Sequence, residues 1–150
     1  MTTSSLTPPV FNLHWAAGFS DGESCIHIAK QRYKNSNRNE TYRLRMCIEQ
    51  NDFEVLEHFR VGLGAHGVIY KKKREIGHNK QVYRLNYDGK HALDAITALL
   101  PLLVRKRAEA HAALAFWTLG LCGKRFGAAG LPTYITAIRE RFYQKLRKLK

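Results

Sequence analysis

Trp15-Ala16-Ala17-Gly18-Phe19-Ser20-Asp21-Gly22-Glu23-Ser24 runs from aromatic and small residues into two carboxylates, directly ahead of a segment whose residues alternate. Upstream, Thr7 followed by Pro8 and Pro9 offers an N-cap and a first-turn proline, which predicts a helix from about Pro8 to Ser20. Phe11, Trp15 and Phe19 recur at i, i+4 and i+8, and Val10 and Leu13 widen that stripe. The small Ala16, Ala17 and Gly18 permit close approach of a second helix, or tight packing inside one subunit. Asp21 and Glu23 then fall at the negative end of the helix dipole, where a carboxylate is disfavoured by roughly 0.3–1 kcal/mol. Two readings follow from the residues alone. Either Asp21 and Glu23 form a solvated turn around a left-handed Gly22, or carboxylate and backbone oxygens hold a hard divalent cation.

Beyond this stretch the period changes to two. Cys25 to Tyr33 and Thr41 to Gln50 alternate, with Ile26, Ile28, Tyr42, Leu44, Met46 and Ile48 on the apolar side, and read as strands joined by the polar turn Lys34 to Glu40. Asn51 or Asp52 can cap a short helix through Phe53, Val55, Leu56 and Phe59, stopped by Gly62 and Gly64. A second hairpin is expected from Gly67 to Arg74 and Lys80 to Tyr87, turning at Gly77 to Asn79. Asp88 can cap a helix with Leu93, Ile96 and Leu100, ended near Pro101. A further helix, about Val104 to Leu119, should bury His111, Ala112, Ala115 and Phe116 or a similar stripe. After the glycine-rich Gly120 to Gly130, Thr133 caps a last helix with Ile135, Ile138, Phe142, Leu146 and Leu149 inward. The expected order is α-β-β-α-β-β-α-α-α, an α+β chain read as one domain over 1–150 with 1–6 a loose tail.

Composition bounds the partner. The excess of 25 Lys and Arg over 12 Asp and Glu gives a net charge of +13, which calls for a polyanion. No apolar run approaches the roughly 20 residues of a membrane span, and Met1 to Pro9 has no apolar core of a secretory signal, so no membrane partner is expected. Cys25, Cys47 and Cys122 form no C-x-x-C pair, which predicts a reducing intracellular home such as cytoplasm, nucleoid or organelle matrix. The histidines show no H-E-x-x-H, so a zinc site is not expected.

The stretch Trp15 to Ser24, followed by alternating strands, resembles the LAGLIDADG motif of homing endonucleases. The likeness extends over roughly Pro9 to Leu119 and includes one motif copy; Ala16, Ser20, Glu23 and Ser24 depart from the usual residues, Glu23 keeping the carboxylate. The resemblance implies a LAGLIDADG homing endonuclease-like α-β-β-α-β-β-α fold with an antiparallel DNA-binding sheet and trailing C-terminal helices. Single-motif members act as homodimers. Carried over position by position, Glu23 is the metal-binding acid, the Gly22 carbonyl helps hold the cation, and Asp21 is the more structural first acid. Gln50 matches the residue that orders the nucleophilic water, and Lys106 the basic residue near the scissile phosphate. Glu54 stands where the family often places a further Arg or Lys.

What the resemblance implies is a sequence-specific endonuclease that hydrolyses both strands of double-stranded DNA with Mg2+ and leaves short 3′ overhangs; Mn2+ or Ca2+ can also occupy the metal site. Its homodimer would pack through the first helices at Ala16, Ala17, Gly18 and Asp21. A strand of about nine residues at about 3.3 Å spans about 30 Å, or nearly nine base pairs, so each subunit can read half of a near-palindrome of roughly 20 base pairs. Alternation turns Cys25, His27, Ala29, Gln31 and Tyr33, with Thr41, Arg43, Arg45, Cys47 and Glu49, away from the core. Val68, Tyr70, Lys72 and Arg74, with Lys80, Val82, Arg84 and Asn86, should share that face. Arg43, Arg45, Arg84 and Gln31 are the leading base readers, because Arg pairs with guanine and Gln with adenine in the major groove. Lys71 to Arg74 suit phosphate contacts. The rival functions are a non-cleaving nucleic-acid binder, such as an intron-splicing maturase, and a structural RNA-binding protein.

Overall fold

Alternation at Cys25 and again at Thr41 builds two strands whose apolar residues turn to the same side. The computed structural model describes residues 7, 9–32, 40–73, 77 and 80–150. In it, helix α1 (Leu13–Glu23) runs straight into β1 (Ser24–Gln31), which pairs antiparallel with β2 (Thr41–Gln50). There follow α2 (Phe53–Gly62), β3 (Val68–Lys71), β4 (Tyr83–Asp88), α3 (Lys90–Leu99), a 3-10 turn (Leu100–Leu102), α4 (Arg107–Leu119) and α5 (Thr133–Lys148). This is the expected α+β order. The strands lie in the order β1-β2-β4-β3, each antiparallel to its neighbour. Among the described residues no helix is long and apolar enough to cross a membrane.

One sheet face is covered by helices. Ile26, Ile28, Leu44, Met46, Ile48 and Leu85 are buried against Leu56 and Phe59 of α2, Ile96 and Leu99 of α3 and Phe116 of α4. Each such side chain contributes about 1.5–3 kcal/mol on burial, so these alternating positions fix the register of the sheet. The opposite face carries the polar residues of both hairpins.

Several local expectations give way to stronger local interactions. The expected start at Pro8 lies outside the described residues; among these α1 starts at Leu13, where the Asn12 side chain accepts the amides of His14 (2.8 Å) and Trp15 (3.2 Å). Val10 and Leu13 consequently lie exposed instead of widening a buried stripe. Phe11 packs over Gly62, where a side chain would collide with its ring, and Trp15 and Phe19 stack at 5.2 Å beside Phe59. Asp88 belongs to β4, and the cap of α3 is Gly89, with φ +58° and its N–H bonded to the Leu44 carbonyl. His111 and Leu149 are exposed; α4 buries Ala110, Ala112, Ala113 and Phe116 instead. Thr133 is the first residue of α5, with Pro132 in the cap position. The arms of the second hairpin are shorter than expected, although the Lys72 N–H still bonds the Val82 carbonyl at 2.9 Å.

Candidate active site

The C-terminal end of α1 is tied to the start of α4 by a single carboxylate. Asp21 accepts the Val104 N–H at 2.8 Å and the Lys106 N–H at 3.0 Å. Partial burial raises the Asp21 pKa, but the backbone donors of Lys106, Val104 and Arg105 outweigh it and hold the carboxyl below its usual range. Asp21 is thus engaged within the subunit, in keeping with a structural role rather than a side chain offered to a partner. Lys106 occupies the N-cap position of α4, its ammonium 3.9 Å from Glu109. The fold therefore sets Lys106 beside the acidic end of α1, although 85 positions separate it from Asp21 in sequence.

Two residues of the quoted stretch form a buried polar pair. The Ser24 hydroxyl donates to the Ser20 carbonyl at 2.7 Å, and the Ser20 hydroxyl lies 2.8 Å from the Ser24 oxygen. The Ser24 proton is committed to the carbonyl, so Ser20 is the donor between the hydroxyls. Both side chains are buried, and each satisfies the other.

Glu23 is exposed at the helix end, and among the described residues it makes no ion pair or hydrogen bond. The last turn of α1 contains no basic residue, so its carbonyl dipoles and the Glu23 carboxylate leave a negative, oxygen-rich terminus. That donor chemistry fits a hard divalent cation, with Glu23 and the Gly22 carbonyl as the ligands this chain offers. Gly22 is helical, not the left-handed residue of a turn. Gln50 is half-buried at the end of β2, two residues beyond Ile48, which faces Ser24 at the start of β1. The end of β2 thus lies alongside the end of α1.

Ala16 and Ala17 are 0% and 1% exposed, packed inside the subunit, and so cannot themselves contact a partner helix. This corrects the expectation drawn from their size. Gly18 and Gly22, one turn apart, are exposed, and a side chain on either would meet nothing within 4 Å. The open small-residue strip on α1 is therefore Gly18 and Gly22, not Ala16-Ala17-Gly18.

The polar sheet face is assembled by register. His27 faces Arg45, Ala29 faces Arg43 and Gln31 faces Thr41 across β1 and β2; Glu49 faces Arg84, which faces Tyr70 across β4 and β3. Asn86 stands opposite Cys47 on one side and Val68 on the other. Gln31, Thr41, Arg43, Tyr70 and Lys80 are exposed, whereas His27, Arg45, Lys72, Arg84 and Asn86 are partly covered. Tyr33 and Arg74 lie outside the described residues. Arg45 donates to Asp88 at 2.6 Å, and Glu49 binds both Arg84 and Lys72, the latter at 3.0 Å. Burial works against Glu49 ionisation, but these two cations keep its pKa below the ordinary carboxylate value. A residue that sequence reasoning did not place here is Arg139 of α5. It lines a hollow of about 340 Å³ with Gln31, Thr41, Arg43 and Arg45, and its guanidinium also donates to the Gly120 carbonyl at 2.8 Å. The sequence signal for a cationic surface on this helix is the run of basic residues from Arg139 to Lys150.

The family model for LAGLIDADG endonucleases matches residues 16–106, from the small residues of α1 to Lys106. This chain belongs to the LAGLIDADG endonuclease family. A probable intron-encoded endonuclease, Cox1-I1b of Schizosaccharomyces pombe, is 31% identical over 83 residues, covering 55% of this chain and 21% of that protein. The LAGLIDADG chain described here therefore spans about a fifth of that relative's length. The fold matches the archaeal intron-encoded homing endonuclease I-Vdi141I complexed with DNA (TM-score 0.74, 18% identity, 92% of this chain and 83% of that one). It also matches the homing endonuclease I-CvuI in complex with its target in the presence of Ca (TM-score 0.70, 21% identity, 92% of this chain and 81% of that one). In this LAGLIDADG chain the acidic motif end, the Asp21 anchor and the four strands all lie within the residues that the family model matches.

Proposed function

We propose that two copies of this chain form a divalent-metal-dependent, sequence-specific endonuclease that cuts both strands of a near-palindromic DNA duplex. The observation that carries the reading is Glu23. It is an exposed carboxylate at the negative end of α1 with no ion pair or hydrogen bond among the described residues, and Asp21, at the same helix end, accepts the Lys106 N–H at 3.0 Å. One such terminus supplies few ligands. Apposition of two α1 helices through Gly18 and Gly22 would bring two Glu23 carboxylates together, with DNA oxygens and waters completing the coordination. The like charges of Glu23 in the two subunits would oppose metal-free pairing.

Glu23 and the Gly22 carbonyl would hold Mg2+, with Mn2+ or Ca2+ as other occupants, and Mg2+ would supply Lewis-acid stabilisation of the phosphate charge. The protein's own groups do the remaining work. Gln50 orders the attacking water by hydrogen bonding. The water oxygen bonds to phosphorus and releases its proton to solvent as the bond from phosphorus to the leaving oxygen breaks and that oxygen takes a proton from solvent, while the Lys106 ammonium offsets the added charge. The exposed Gln31, Thr41 and Arg43 read base edges, and the lysines of the second hairpin hold phosphate.

Glu23→Gln tests this assignment because it removes the charge and keeps the shape. The variant is expected to bind duplex DNA as tightly as the parent or more tightly, and to lose Mg2+-dependent cleavage. Unchanged cleavage by the variant would remove Glu23 from the reaction.

A further inference from the structure

The pairing of β1 with β2 gathers three side chains that the reading above leaves unused. Cys25 and His27 lie two positions apart on β1, hence on the same face, and Cys47 stands directly opposite Cys25 on β2. Their ligand atoms all lie within 4.8 Å of one another, and Cys25 Sγ is 3.7 Å from His27 Nδ1. A tetrahedral zinc ion with Zn–S of about 2.3 Å and Zn–N of about 2.0–2.1 Å separates its sulfur and nitrogen ligands by roughly 3.6 Å, and two sulfurs by roughly 3.8 Å. The cluster is thus already near the spacing of a shared ion. We infer that Cys25, His27 and Cys47 form a binding site for a thiophilic transition-metal ion, Zn2+ above all, on the polar face of the sheet.

Three further features favour this. Two thiolates and an imidazole are soft or borderline donors, unlike the hard oxygens at the end of α1, so the two sites select different metals. Asn86 on β4, directly opposite Cys47, has a buried side-chain oxygen with no hydrogen-bond partner among the described residues, while its amide nitrogen is spent on Asp88 at 2.8 Å. An unsatisfied oxygen on the next strand suits a fourth ligand, or the acceptor for a water that fills that position. The Lys150 ammonium lies 3.2 Å from Cys25 Sγ, in place to donate a supporting hydrogen bond to a liganding sulfur. C-x-H is not a recognised zinc spacing. The third ligand comes from a neighbouring strand, so nothing in the linear sequence marks the site. A bound ion would cross-link β1 to β2 and neutralise two thiolates on the face assigned to DNA.

The test uses the full chain, reduced with a phosphine, stripped with a chelator and titrated with Co2+ without DNA. The expected result is one Co2+ per chain, with a near-ultraviolet thiolate-to-cobalt charge-transfer band that an equimolar amount of Zn2+ abolishes. Cys25→Ser and Cys47→Ser should each remove most of the band, and His27→Gln should weaken binding by about tenfold or more. Cys122→Ser and Glu23→Gln should leave it intact. Should a serine variant fail to fold, alkylation of the unaltered chain gives a second readout, with Zn2+ protecting two of the three cysteines. Absence of the band, its survival in Cys47→Ser or its loss in Glu23→Gln would overturn the assignment. So would a Cys25–Cys47 disulfide whose reduction yields thiols that bind no Co2+. Because no step requires DNA, failure here leaves the nuclease proposal untouched, and failure of cleavage leaves this site untouched.

Discussion

At the outer end of the polar sheet face Gln31, Thr41 and Arg43 stand exposed, and among the described residues Arg43 has no acidic partner. Toward the second hairpin the cations are clasped: Arg45 by Asp88, and both Arg84 and Lys72 by Glu49. Equal charge on the two regions therefore does not mean equal readiness. A free guanidinium can present its donors to a guanine edge at once, whereas a paired one must exchange a carboxylate for the base. The paired set is correspondingly pre-ordered, with less side-chain freedom to lose on binding. Under the proposed DNA-binding reading, Arg43 is thus the stronger candidate for base contact, whereas Arg45 and Arg84 are held in ion pairs that shape the surface.

The largest expected effect that separates these regions is at Arg43. Arg43→Ala should weaken specific binding by about 1–3 kcal/mol and relax preference at one base-pair position. Uniform weakening across all sequences in a binding-selection experiment would make Arg43 a phosphate contact and erase the distinction. The second test frees the clasped cations. Glu49→Gln should raise non-specific affinity and steepen the salt dependence, by up to about one unit of log–log slope for each of Arg84 and Lys72. An unchanged slope would mean that both cations already reach DNA with Glu49 in place.

The smallest effect concerns the support beneath the free end. Glu140 of α5 bonds Lys30 at 2.8 Å and also accepts from the Tyr42 hydroxyl. Burial opposes its ionisation, but Lys30, Tyr42 and Gln144 lower the pKa from 4.5 to about 2. A lowered folded-state value contributes stability above the ordinary carboxylate pKa, and that contribution is lost as pH falls from 4.5 toward about 2. Thermal unfolding of Glu140→Gln should show a small deficit at neutral pH that closes across this acid range. A deficit independent of pH would assign the loss to packing of α5 instead.

Much of the architecture was legible because periodicity reports burial directly. The alternation of Ile26, Ile28, Leu44, Met46 and Ile48 placed the sheet faces, and the acidic pair after a small-residue helix marked the end of α1. What escaped depends on partners distant in sequence. The size of Ala16 and Ala17 permits close approach without saying to which helix, and their own subunit claimed them. The bonds from Asp21 to Val104 and Lys106, and the capture of Asp88 by Arg45, arise only when separate elements meet. Pro8 and Pro9 looked like a helix start, but the side chain of Asn12 satisfied the first amides further along. The grouping of Cys25 and His27 with Cys47 needs the register of two strands, which pattern alone does not deliver.

The central claim is metal-dependent, two-strand cleavage directed by the sheet face. Its most direct test is to incubate the chain with a randomised duplex library, with Mg2+ or with chelator, and sequence the cut ends. The account predicts cuts at one pseudo-palindromic site of roughly 20 base pairs, with short 3′ overhangs, only when metal is present. Enrichment of a bound site that is cut in neither condition would contradict it and assign the chain a binding role without cleavage.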